Sequence, residues 1–445
     1  MLELIQDATA ATAKVEALMQ ELPPISADLL PATDTRTPEA LLSDAKHLER
    51  ISSELSRLNF YESKGSALPL VAALRPRVAA ATAHLNSAAR ATLAATLACQ
   101  HADAVEASRR CITSCCAIGN IALVHETVRS AMMRPTIEAA AAETLNALGG
   151  GTGEAAPAVA VELAPLLRSV QQRVAPLVAR LGEAVAERAE VAQSFDILGA
   201  CVLAEVHALI KANLPGAFSS AVPAAFHANY AAATAFLKWL AASVPVAATV
   251  ALFHRSPECA AFMKEWNLSV YFSLRFQEIA GAVEEAFHTG PAPAAAGADK
   301  RFALRQSGAL FAGLARCRDP SVTFPAVYER FYKLQLQLVL RYAAWVHEAG
   351  GVWGADGEGG TGAPKSAEFL GFEAGSMRDW AQDAEPPALL QLLVELNAVG
   401  DALRREEAGR VAAQLDGVIS SSDISVISAV RAPFSFTDKQ LLLLD

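Results

Sequence analysis

The chain has 445 residues, 53% hydrophobic but only 7% aromatic, with 37 Lys and Arg against 47 Asp and Glu and a formal charge of -10. That length exceeds one ordinary hydrophobic core and predicts two or three packed units. The acidic balance repels phosphate backbones and argues against a nucleic-acid partner. Seven cysteines are an odd number, scattered except for Cys111, Cys115 and Cys116, so reduced thiols and a cytosolic compartment are expected rather than a disulfide framework.

Much of the apolar content is alanine, which favours helix without adding large buried area, and the fold class read from this is all-α. The first helix carries acids in its opening turns, lacks the basic-then-apolar layout of a secretory signal, and closes at Pro23-Pro24. After a polar linker, Thr37 is placed to cap a second helix, with Pro38 at its first position and Glu39 at the positive end of its dipole. Within it Leu41, Leu48 and Leu55 recur every seven residues, and Ile51 and Leu58 follow the last two by three. This short stripe, interrupted by Asp44, is read as a partner interface of coiled-coil type or as the inner face of the chain's own bundle.

A break is expected at Lys64-Gly65-Ser66, then alanine-rich helices to about Leu148 and a glycine break at 149–153. Leu163, Leu167, Val170, Val174, Leu177, Leu181 and Ala184 then alternate four and three apart on one seam, with Pro176 expected to kink the helix. Mean hydropathy is +0.26, and residues 212–237 hold no charged side chain. Pro215, Pro223, Asn213, His227 and Asn229 nevertheless make that stretch a poor membrane span and a good buried helical segment.

The densest aromatic run is 262–287. Asn267 is expected to cap its helix, with Trp266 and Tyr271 arranged as a hydrophobic staple and Leu268, Phe272, Phe276, Ile279 and Val283 on one face. Arg275 and Glu278 are expected to form a helix-surface ion pair, and Glu284 and Glu285 to be solvated. The segment 290–299 reads as a linker. Val327, Phe331, Leu334, Leu338, Tyr342 and Trp345 form a further stripe, and a loose glycine-rich loop is expected at about 350–365. The organisation is therefore residues 1–62 as amphipathic helices, 66–290 as one bundle and 300–445 as another, with two or three helices after Glu368.

No local motif carries chemistry. In GGTGAPKS at 359–366, Pro364 replaces the glycine a phosphate-binding loop needs and removes an N–H from the nest. The three clustered cysteines lack a second pair at zinc spacing and read as core. VHETV at 124–128 lacks the second histidine of HExxH and reads as helix surface. No catalytic, cofactor or metal residue is assigned. Arg75, Arg77, Arg404 and Arg405 are candidate contacts for acidic partners or lipid headgroups, with solvated charge as the alternative.

Several strings together resemble a known family. Trp266-Asn267-Leu268, Val270-Tyr271-Phe272, Arg275-Phe276 and Glu278-Ile279-Ala280-Gly281 follow the pattern WNLxVYFxxRFxEIAG. Ser63-Lys64-Gly65, Leu68-Pro69-Leu70, Arg75-Pro76-Arg77, Leu214-Pro215, Phe218, Pro223, Phe226-His227 and Tyr230 support it in the same order. The chain resembles subunit 2 of the conserved oligomeric Golgi complex from about Met1 to Glu348, fading after Gly350. The resemblance implies that the family's N-terminal assembly region lies upstream of Met1 and that its C-terminal domain is incomplete here.

It also implies stacked, elongated helical bundles of the multisubunit-tether (CATCHR-like) type with a coiled-coil-like N-terminal segment. The implied role is non-enzymatic vesicle tethering in retrograde intra-Golgi transport, with effects on Golgi organisation and glycosylation, from a peripheral position on the cytosolic face of Golgi membranes. The implied partners are subunits 1, 3 and 4 of the same lobe, together with SNARE proteins and small GTPases, and no cofactor. A homotypic helical scaffold and a helical ligand-binding protein or enzyme are the competing readings.

Overall fold

The computed structural model describes residues 2–22, 36–65, 68–149, 162–186, 188–288, 293, 301–350 and 398–405. Among them the fold is all-α, and the one β feature is an isolated bridge between Pro293 and Leu304. The GGTGAPKS segment, most of the 290–299 linker, residues 150–153 and the glycine-rich loop lie outside the described residues, as does most of the chain after Gly350. The chain divides into two compact units, one up to Tyr271 and one from Phe272.

The first unit opens with α1 (Leu2–Gln20), α2 (Pro38–Lys64), the short α3 (Pro69–Ala72), α4 (Arg75–Ala98) and α5 (Ala102–Ala117). The helix start at Thr37 is as expected: its side chain accepts a hydrogen bond from the Ala40 amide, and Pro38 occupies the first turn. Gly65 ends α2, its amide donating to the Tyr61 carbonyl at 2.8 Å. Along α2 the buried stripe runs Leu41, Ala45, Leu48, Ile51, Leu55 and Leu58. Ala45 rather than Asp44 fills the vacant position, and Asp44 turns aside to pair with Arg36 at 2.9 Å.

This stripe packs on α5, α1 and α4. The buried residues of α5 are mainly small: Ala104, Ala107, Ser108, Cys111, Ser114 and Cys115. Leucines on one helix against small residues on its neighbours let the axes approach closely, which explains how a core forms from so few aromatics. The buried hydroxyls stay satisfied by donating back along their own helices, Thr12 to Ala8 O at 2.7 Å and Ser114 to Arg110 O at 2.8 Å.

The chain continues through α6 (Ile121–Val128), a π-helical turn (Arg129–Met133), α7 (Arg134–Gly149), α8 (Ala164–Ala186) and α9 (Ala189–Ser194). A second π segment (Ile197–Leu203) leads into α10 (Ala204–Asn213). Helix α8 continues through Pro176. Of its predicted seam Leu163, Leu167, Val170, Val174, Leu181 and Ala184 are buried, while Leu177 is half-exposed and Val178 and Val185 are buried beside it. A 3.6-residue helix drifts about 20° per heptad against a strict seven-residue repeat, so towards its C-terminal end the inner face also takes in the next residue along. Arg180 of α8 donates to Leu97 O at 2.7 Å and Cys99 O at 3.1 Å, capping the C-terminal end of α4.

The charge-free stretch from 212 is broken, as its prolines require, by a 3-10 turn (Pro215–Phe218) before α11 (Pro223–Ala242). Buried Asn229 joins three elements: it accepts from the Leu163 amide at 2.8 Å and donates to Ala217 O at 3.2 Å. No helix among the described residues is long and apolar enough to cross a membrane. Helices α12 (Ala247–Arg255) and α13 (Pro257–Lys264) follow, then the first turn of α14 (Leu268–His288), and α14 itself runs on into the second unit.

A charge cluster with a buried carboxylate lies at the two π segments. Glu205 is buried; Arg129 Nε donates to it at 2.6 Å, and Arg134 donates at 3.0 Å through both Nε and Nη2. Burial alone would raise the Glu205 pKa, but hydrogen bonds from Arg134 and Arg129 outweigh it and hold it below the usual glutamate range. A lowered folded-state pKa adds stability above the unfolded value near 4.5 and loses it as pH falls through the folded value. Glu205→Gln is therefore expected to lower stability by about 1–3 kcal/mol at neutral pH. It should also flatten the acid limb of urea unfolding midpoints measured from pH 7 to pH 3; an unchanged acid limb counts against the clamp.

In the second unit, α14 from Phe272 packs with α15 (Arg305–Arg318), a 3-10 turn (Pro325–Val327) and α16 (Tyr328–Gly350), and residues 398–405 are helical. The predicted stripe from Val327 to Trp345 is buried at all six positions. A Cβ added at Gly313 of α15 would lie 2.8 Å from Val283 Cγ2 of α14 and 3.3 Å from Leu338 Cδ1 of α16, so this glycine sets how closely the three helices meet. Phe287 stacks on Trp345 at 5.7 Å, and Tyr342 Oη lies 2.9 Å from Ser307 Oγ.

Candidate functional site: the aromatic signature and the exposed helix faces

Trp266 lies between α13 and α14, 4% exposed. Phe218, Phe226 and Tyr230 meet its ring edge-on at 4.9, 5.5 and 5.5 Å, and Phe262 approaches at 6.2 Å. Such edge-to-face pairs add about 0.5–1.5 kcal/mol each beyond area burial. The sequence strings around 214–230 and 262–271, unconnected along the chain, therefore converge on one indole. Asn267 caps α14 as predicted, its Oδ1 accepting from the Val270 amide at 3.1 Å. The staple is completed through a third ring: Phe226 stacks on Tyr271 at 5.1 Å while its edge meets Trp266.

The other signature residues divide by exposure. Ile279 and Ala280 are buried, Leu268, Phe272 and Phe276 are half-buried, and Asn267, Val270, Glu278 and Gly281 are exposed. Phe272 meets Phe331 of α16 edge-on at 5.2 Å. Arg275 is buried rather than at the surface: it donates to Glu278 at 2.6 Å, and Arg316 of α15 joins the same carboxylate at 3.3 Å. Glu284 is likewise buried and not solvated, because Arg341 of α16 grips both its oxygens at 2.9 and 3.1 Å, whereas Glu285 is exposed. Sequence spacing sees only partners on the same helix, whereas Glu278 and Glu284 each take an arginine from a neighbouring helix.

His125 also departs from its expected place on a helix surface. It stacks on Phe195 at 5.3 Å, and its Nε2 accepts from the Asp196 amide at 3.2 Å. Burial holds its pKa below the ordinary histidine value. Asp196 in turn caps the second π segment through the Gly199 and Ala200 amides. Of the clustered cysteines, Cys111 and Cys115 are core, buried and free, while Cys116 is half-buried, and burial pushes the Cys115 thiol up to about 12. No group of three or more potential metal ligands occurs among the described residues.

The α2 residues read as a partner interface, Leu41, Leu48, Ile51, Leu55 and Leu58, are all buried within the chain's own bundle. Large apolar side chains do reach the surface elsewhere: Leu336 and Leu340 of α16 are 50% and 64% exposed, one turn apart on the side opposite its buried stripe. The four arginines read as candidate contacts for acidic partners or lipid headgroups are engaged within the chain. Arg75 pairs with Glu62, Arg77 with Glu16 and Arg404 with Asp401, and Arg405 donates to Asp401 O.

Comparison with known proteins identifies what this arrangement belongs to. A family model described as "COG complex component, COG2, C-terminal" matches residues 264–418, enclosing the whole Trp266–Gly281 signature and running past the point where the sequence resemblance fades. Conserved oligomeric Golgi complex subunit 2 of Arabidopsis thaliana is 30% identical over 373 residues, 78% of this chain and 48% of the relative. The chain belongs to the conserved oligomeric Golgi complex subunit 2 family. The Homo sapiens subunit 2 is 28% identical over 68% of this chain and 39% of its own length. The Drosophila melanogaster subunit 2 is 31% identical over 22% of this chain and 14% of its own. The chain spans about half the length of the Arabidopsis relative. No solved structure matches it. For this family the fold implied is the helical bundle of the CATCHR type, which agrees with the all-α units above.

Proposed function

We propose that the chain is a non-enzymatic subunit of a Golgi vesicle-tethering complex, acting in retrograde intra-Golgi transport by helix-to-helix binding. The observation that carries this is the similarity to subunit 2 over 78% of the chain. Its partners are other subunits of the complex, with subunits 1, 3 and 4 in the same lobe, and SNARE proteins and small GTPases engage the assembled tether. Its place is the cytosolic face of Golgi membranes, held peripherally. Loss of the chain in cells should disturb Golgi glycosylation, and unaltered glycans would count against this reading.

Leu336 and Leu340 favour α16 as a docking face, because two exposed leucines one turn apart offer a partner helix the anchors of helix-in-groove packing. Burying the exposed parts of the two side chains contributes about 2–3 kcal/mol. Leu336→Glu with Leu340→Glu is therefore expected to weaken capture of the lobe subunits by at least tenfold, with the melting temperature within a few degrees of wild type. Undiminished capture would remove this face from the assembly.

A further inference from the structure

Most surface cations of the first unit lie against a carboxylate, but around one groove the balance fails. The groove, of about 630 Å³, runs along α1 and α2 and is lined chiefly by Lys14, Lys46, Glu49, Arg50, Glu54 and Arg110. Each of its two carboxylates is shared by two cations. Glu49 takes Arg110 and, at 3.2 Å, Arg188; Glu54 takes Lys14 at 2.6 Å and Arg57 at 3.2 Å. Glu106, close by on α5, is shared in the same way by Arg109 and Arg110.

Lys46 and Arg50 then remain, both exposed, one turn apart on α2, with no acidic partner among the described residues. A concave positive excess thus sits on a chain whose net charge is -10. Ser53, on the same wall, adds a hydroxyl.

We propose that this groove binds a multivalent phosphate anion, the phosphorylated headgroup of a membrane lipid or the same polyol phosphate free in solution. An arginine fork grips phosphate bidentately while a lysine supplies an orientation-tolerant point charge. Positions i and i+4 bring the two within reach of one compact anion. The volume lies in the range of small-molecule sites, roughly 300–1,000 Å³, which favours such an anion over an extended acidic peptide. The site uses none of the assembly partners proposed above, so it stands or falls independently of them.

Flotation of the full chain with phosphatidylcholine vesicles, with and without phosphatidylinositol bisphosphate, tests the site. A parallel titration uses inositol hexakisphosphate. Binding is expected on the phosphorylated vesicles, reduced by salt and displaced by the soluble polyphosphate. A basic residue near a charged surface contributes about fivefold, so Lys46→Ala with Arg50→Ala should weaken binding by about 25-fold. The already paired Arg75→Ala with Arg77→Ala should weaken it far less.

Binding of inositol hexakisphosphate alone, lost in the Lys46/Arg50 variant, assigns the site to the soluble source. The proposal is overturned if neither probe binds, if the Lys46/Arg50 variant binds like wild type, or if polyglutamate competes equally. Both side chains are exposed, so the variant should melt with the wild type; a loss of binding matched by the Arg75/Arg77 variant would also overturn the site.

Discussion

Trp266→Ala is expected to destabilise the first unit by about 3–5 kcal/mol, the cost of deleting a buried indole whose surroundings relax only partly. Four rings, Phe218, Phe226, Tyr230 and Phe262, lose their common contact at once, and three of them come from the 3-10 turn and α11 rather than from the Trp266 segment. Urea unfolding followed by circular dichroism should show the midpoint fall sharply. Trp266→Phe is the informative partner, because the buried indole Nε1 has no hydrogen-bond acceptor among the described residues. Removing an unsatisfied donor costs little, so phenylalanine should recover most of the loss. An alanine variant within about 1 kcal/mol of wild type would mean that the cluster does not organise the unit.

The second large effect falls on α2. Leu48→Asp with Leu55→Asp buries two carboxylates in a seam where both leucines are fully enclosed. An unpaired buried charge costs several kcal/mol, and two approach the whole stability of an ordinary domain, about 5–15 kcal/mol. Loss of helical signal from the first unit and rapid proteolysis between α1 and α5 are therefore expected. Loss of partner association would follow from unfolding rather than from a missing contact. A variant that kept its fold and lost association selectively would instead make this stripe a partner seam.

Local signals were legible in the sequence because they depend on neighbours along the chain. The cap at Thr37, the cap at Asn267, the break at Gly65 and the six-residue stripe of α16 all follow from residues within a turn or two. The family signature was legible too, although its physical meaning was not: nothing in the string WNL discloses that Phe218 and Phe226 close around its indole. What spacing missed is charge partnership across helices. Arg341 reaches Glu284 from α16, Arg316 reaches Glu278 from α15, and Glu62 and Glu16 engage Arg75 and Arg77.

The same limit decides the faces. A heptad stripe reports that one side of α2 is buried without saying by what, and α1, α4 and α5 supply the answer. On α16 spacing alone marks the inner stripe, whereas the exposure of Leu336 and Leu340 is a property of the assembled bundle. Lys46 and Arg50 are the converse case: only the pairing of the neighbouring cations leaves these two over.

The proposed role, joining other subunits, is tested by affinity purification of the tagged chain from its own cells with quantitative mass spectrometry. Recovery of subunits 1, 3 and 4 in comparable amounts is the predicted result. Recovery of the chain only with copies of itself, or with none of those subunits, would contradict it.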